Sequence, residues 1–114
     1  MRFVPTDPPR RFRVGLDESI ELSDCGRISL EADEQVTFVT RSGREHDVVA
    51  KSWGFYATPS VNGRLKREGF KAALVRNSQG MYYVMVVETD RIEDFHEYLR
   101  VERQELCEWL DERE

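Results

Sequence analysis

The strongest constraint on this chain is a period of two. From Ile20 to Ala50, apolar residues alternate with polar ones: Ile20 and Leu22 among acids, Ile28 and Leu30 among Arg27, Ser29 and Glu31, then Val36 and Phe38 with Thr37 opposite and Thr40 beyond. Successive side chains of a strand point to opposite faces, so this alternation describes strands wet on one side, and such strands pair antiparallel. Turn chemistry separates the runs at Ser23-Asp24-Cys25-Gly26, at Ala32-Asp33-Glu34 and at Arg41-Ser42-Gly43-Arg44. Gly43 stands where a left-handed residue would fold a hairpin into Glu45–Ala50. The first half is expected to be an antiparallel meander.

A second hairpin is predicted for Phe70–Arg76 and Met81–Glu88, across Asn77-Ser78-Gln79-Gly80. Here the polar face disappears. MYYVMVV is apolar on both faces and FKAALV nearly so, the mark of strands covered on both sides. These two strands are expected at the centre of the fold. A helix layer would cover one face, and a second sheet or a partner subunit the other.

Between these halves lies KSWGFYATPSVNGRLKREGF, Lys51–Phe70, with the densest turn and helix-start chemistry in the chain. Ser52–Ala57 suits an aromatic-rich strand. Pro59 closes it, having a fixed φ and no amide donor. Ser60 is a good N-cap, and Val61–Glu68 makes about two helical turns with Val61 and Leu65 on one face. Gly69 is the expected stop. A final amphipathic helix begins at Thr89 or Asp90, buries Ile92, Phe95, Tyr98 and Leu99, and runs to about Glu102. Residues 103–114 suit either continued helix, through Leu106 and Leu110, or a short returning strand at LCEWL.

Residues 1–11 hold Pro5, Pro8 and Pro9 and little hydrophobic pattern, so they read as an extended N-terminal arm, with a first strand starting near Arg10. The predicted architecture is therefore an arm at 1–11 followed by one α+β domain at 12–114. That domain is an antiparallel sheet (meander plus central hairpin) with a short middle helix and a C-terminal amphipathic helix packed on it.

Composition removes several functional classes. At 114 residues, with 39% hydrophobic and 34% charged residues, the chain is long enough for an ordinary core. No apolar run of about 18 residues exists, so no membrane span is expected. The start MRFVPTDPPRRFR lacks the apolar stretch of roughly 7–15 residues found in export signals, which points to the cytoplasm. The net charge of −5 is uneven: residues 1–14 carry +3, 15–50 carry −6, 51–76 carry +5 and 77–114 carry −7. An acidic chain of this kind does not suit phosphate backbones, so no nucleic-acid partner is expected. Cys25 and Cys107 lie far apart, with neither a CxxC nor an HxxxH pairing, and Cys107 sits among acids that disfavour a thiolate. They read as reduced thiols, one or both buried. Metal and cofactors are expected to be none.

Catalytic templates are absent: no GxSxG, GxxxxGKS, HExxH or GxGxxG occurs. Glu45-His46-Asp47 offers an imidazole beside an acid, the ingredients of a general base, but equally the exposed start of a strand. The best candidate site is the 51–71 segment. Trp53 and Tyr56 supply apolar walls with polar handles, Ser60 and Asn62 stand at a helix start whose free amides favour an anion, and Arg64 and Lys66 add positive charge. Such a pocket would suit an anionic small molecule, a sugar phosphate or nucleotide sugar, and could carry catalysis; the bland alternative is core aromatics, a cap and cations paired with acids. The doubly apolar strands support a different class of function: a non-catalytic binding or assembly domain, acting as a homodimer or as an accessory to an enzyme. With no catalytic set in the sequence, that second class is the leading expectation.

Overall fold

The alternating half does form strands, in a computed structural model that describes all 114 residues, Met1–Glu114. The chain is α+β. Its strands are β1 (Arg2–Val14), β2 (Ile20–Ser29), β3 (Gln35–Val39), β4 (Glu45–Lys51), β5 (Gly54–Ala57), β6 (Phe70–Arg76), β7 (Tyr82–Glu88) and β8 (Glu105–Trp109), and its helices are α1 (Arg64–Arg67) and α2 (Ile92–Val101). They make three sheets, ordered β1-β2, β3-β4-β5 and β7-β6-β8. Two compact units emerge: Met1–Val36 with Val48–Tyr56, and Thr37–Asp47 with Ala57–Glu114.

In the first unit, β1 and β2 form an antiparallel ribbon, with Arg2 opposite Ser29 and Val14 opposite Ile20. The turn read at Ser23–Gly26 is instead the middle of β2. The reason is its partner: β1 begins at Arg2 rather than near Arg10, and supplies a ladder that holds β2 extended. Between Pro5, opposite Gly26, and Arg10, opposite Asp24, β1 carries extra residues that form a bulge. Pro8 and Pro9 fall in that bulge, where the missing amide donor costs no ladder bond. Gly26 is required by close approach, because a Cβ there would lie 2.7 Å from the Val4 carbonyl oxygen. Cys25 is a free thiol at the surface, as is Cys107 in the second unit, so neither is buried.

In the second unit the predicted hairpin is present with unbroken register, from Phe70 opposite Glu88 to Arg76 opposite Tyr82. Asn77 closes its turn, its Oδ1 accepting from the amides of Gln79 (3.0 Å) and Met81 (2.9 Å). One face of the sheet packs on α2, where Ala73, Val75, Val87, Phe95 and Leu99 form a buried cluster flanked by Met85, Ile92, Leu106 and Trp109. A smaller cluster of Leu65, Phe70 and Ala72, with Leu110 against it, covers one end of the opposite face.

The C-terminal ambiguity resolves as a strand. Leu106 and Trp109 are three residues apart, which period two would place on opposite faces. A register shift between Leu74/Glu108 and Val75/Leu106 inserts one residue, so that both face α2, opposite Val75 and Ala73. Three helical expectations need correction. First, α1 is a single turn, not Val61–Glu68. Gly63 leaves helical geometry at φ −129° and ψ −103° and itself takes the N-cap place, with no side-chain cap; Ser60 lies before it and its Oγ accepts from the Arg64 amide (3.2 Å). Second, α2 begins at Ile92 after a 3-10 turn at Thr89–Arg91 and has no side-chain cap, because Asp90 binds Arg44 instead. Third, Tyr98 on α2 is exposed rather than buried. Gly69 does end α1, at φ +87°.

The largest correction concerns β7, which was expected to be covered on both faces at the centre of the sheet. The central strand is β6. β7 is an edge, and Tyr82, Val84 and Val86 are 59%, 67% and 39% exposed.

Candidate functional site

The 51–71 segment is divided between the units. In the first unit, Trp53 and Tyr56 stack with ring centres 5.9 Å apart and planes 14° from parallel. The backbone turn Ser52-Trp53 between β4 and β5 brings them together. Both rings are exposed, Trp53 at 69%. Beside them Lys51 is held by Asp33, which raises the ammonium's affinity for its proton.

The polar residues named with them belong to the second unit. Ser60 and Asn62 are exposed, as is Lys66. Arg64 is already committed: its guanidinium lies 2.9 Å from Asp47 Oδ2 and donates to Thr58 Oγ1 at 3.3 Å. Asp47 is buried and takes a second bond from the Thr37 hydroxyl at 2.7 Å. That hydroxyl first, and then Arg64, hold the Asp47 carboxyl below the usual carboxylate range against the opposing effect of burial. The charges of Arg64 and Asp47 thus largely cancel.

His46 lies beside this cluster, edge-on to Phe70 at 6.2 Å. Burial pushes its imidazole pKa down, and its Nδ1 is enclosed without a hydrogen-bond partner. Asp47 directs its oxygens to Thr37 and Arg64, so the arrangement that would orient a general base is not built here. No group of three His, Cys, Asp or Glu side chains converges as a metal site would require. A depression at the start of α2 is lined by Thr89–Asp94; it presents three carboxylates, and its one cation, Arg91, pairs with Asp94 at 3.2 Å.

Two arrangements were not legible beforehand. Arg44 bridges Glu88 and Asp90, while Glu88 also accepts from the hydroxyls of Thr40 and Ser42. This closes the far end of β7 with neutralised charge. At the other side of the sheet, Lys71 Nζ sits 2.8 Å from Asp111 Oδ2 and 4.8 Å from the centre of the Trp109 ring. The Asp111 side chain is fully buried. Burial acts to raise its pKa, but Lys71 and the Ala72 amide outweigh that and hold it low.

The remaining feature is the open sheet. By register, Tyr82, Val84 and Val86 share a face with Arg76, Leu74 and Ala72. Leu65 and Leu110 cover this face only at the Ala72 end. Toward the turn it is apolar and open, and the backbone groups on the outer side of β7 have no strand beside them. Arranged this way, the surface can do one thing chemically: bury apolar area and extend a hydrogen-bonded ladder. Comparison with protein-family models, with curated proteins and with solved structures finds no match. No helix is long and apolar enough to cross a membrane.

Proposed function

We propose that this chain is a small, non-catalytic binding or assembly domain that works as a homodimer or as an accessory to an enzyme, in the cytoplasm. The observation that supports it is the exposure of Tyr82, Val84 and Val86 on an edge strand. Edges of monomeric sheets normally carry charges, proline or bulges that block pairing, and contiguous open apolar surface marks an interface. The two surface thiols suit a reducing compartment. Sedimentation equilibrium over a wide concentration range tests this reading. Self-association or partner binding that Val84→Glu abolishes, with the circular dichroism of the fold unchanged, is the expected result. A wild type that stays monomeric and behaves as Val84→Glu does in every binding assay defeats it.

The second reading, an anionic small molecule such as a sugar phosphate or nucleotide sugar on the 51–71 segment, is favoured by the solvent-facing Trp53–Tyr56 stack. Against it stands the ion pair that already occupies Arg64. Thermal melting with a panel of anionic metabolites separates the two. A ligand that raises the midpoint of wild type but not of Trp53→Ala or Tyr56→Ala would establish this reading.

A further inference from the structure

The two edges of the β7-β6-β8 sheet are built differently, and the difference identifies what β7 pairs with. The β8 edge is blocked. It carries the register shift between Leu74 and Val75 and the carboxylates Glu105 and Glu108, the latter held by Arg113 at 3.3 Å. Charges and bulges are the usual devices that prevent a strand from joining another sheet. The β7 edge has no bulge, and no charge before its last residue, Glu88. Its register with β6 is continuous from Tyr82 to Glu88, and Tyr82–Val87 contains no charge and no proline, in a chain of which 34% is charged.

We infer that β7 pairs antiparallel with β7 of a second copy, about a two-fold axis at Met85, giving one continuous six-stranded sheet. This rests on the assembly reading above and adds the partner and the register. Three observations favour a second copy over an unrelated strand. About Met85 the pairing is self-complementary: Val84 meets Val86 of the second copy, and Val86 meets Val84, joining the two open apolar patches. No like charges meet. The sole ionised group brought in, Glu88, falls opposite Tyr82 and is already balanced by Arg44. A two-fold pairing also uses up both open edges at once, so it closes at two copies, while the blocked β8 edges stop further growth.

Register is tested by cysteine cross-linking in a Cys25→Ser, Cys107→Ser background. Directly opposed residues of an antiparallel pair lie within disulfide reach, about 4.5–5.5 Å between Cα atoms, while diagonal neighbours are roughly 7–8 Å apart. Val84→Cys protein and 15N-labelled Val86→Cys protein are oxidised separately and as a mixture, and the three dimers are resolved by mass through the label, with sedimentation equilibrium on the unoxidised samples. A dimer that yields the mixed 84–86 disulfide in high proportion, with little 84–84 or 86–86 product, is the expected outcome. A dimer without the mixed disulfide overturns the register and leaves the assembly reading standing. A monomer at every concentration overturns the homodimer altogether, and an open-ended oligomer overturns the closed pairing. Val84→Lys and Val86→Glu give an independent check. Each alone is expected to be monomeric. The double variant, which sets the introduced lysine of one copy against the introduced glutamate of the other, is expected to dimerise again.

Discussion

The β1–β2 ribbon and the β7-β6-β8 sheet are both antiparallel and both carry many apolar side chains, yet they stand at opposite ends of a scale of burial. Both buried clusters of the chain draw only on the sheet and the segments packed on it. In the ribbon Phe3, Leu22 and Ile28 remain exposed. Alternation is thus enough to make a strand but not to make a core. A core needs a second layer, and β6 has one on each face, from α2 and from Leu65 and Leu110. Two-stranded ribbons are marginal without such support.

The largest effect is expected from Leu65→Ala, at a side chain with almost no solvent contact. The expected cost is about 2–5 kcal/mol, measured by urea denaturation. The Lys71–Asp111 pair comes next. Asp111→Ala leaves Lys71 without its carboxylate and the Ala72 amide without its acceptor. The same measurement is expected to show a loss of about 3 kcal/mol, the low end for breaking a buried pair because Lys71 is partly exposed. Gly69→Ala ranks third. Its left-handed φ and the Arg44 Nε, which would lie 2.7 Å from the new Cβ, predict a loss of roughly 1–3 kcal/mol. The contrast is sharpest at Leu22→Ala in the ribbon, where the expected change is within about 0.5 kcal/mol. A loss there as large as that of Leu65→Ala would mean that the ribbon is packed in solution against something else.

Acid provides a further handle. Asp47 and Asp111 have carboxyls held below their unfolded values. The stability they contribute is therefore complete above roughly pH 4 and is lost as pH falls through their folded values. His46 has a depressed imidazole pKa, so the unfolded chain takes up its proton first. Stability is expected to start falling below about pH 6.5. His46→Gln should flatten the denaturation midpoint between neutral and mildly acidic pH, while Asp47→Asn should flatten only the more acidic part. An unchanged profile in both would remove these groups from the acid response.

The residue types of the 51–71 candidate were legible, but their partners were not. Trp53 and Tyr56 stack on each other, and Arg64 is held by Asp47; an ion pair has no local signature, because the two residues are apart along the chain and nothing near either predicts the other. The same holds for Arg44 with Glu88 and Asp90. The open apolar face was foreseen in its residues, MYYVMVV, and misplaced in its setting.

What the sequence determined by itself is what neighbouring residues decide. The Asn77–Gly80 turn sets the register of β6 and β7, Gly43 and Gly69 end their elements, and the 3–4 spacing of Ile92, Phe95 and Leu99 makes α2 amphipathic. Tertiary structure alone decided which strands are neighbours. β1 overrode the turn chemistry at Ser23–Gly26, β8 took the second place beside β6 and left β7 at the edge, and a bulge turned Leu106 and Trp109 to one face. Each of these depends on a partner far away along the chain. A period of two states that a strand has two faces; what lies against each face is settled by the energy of long-range packing.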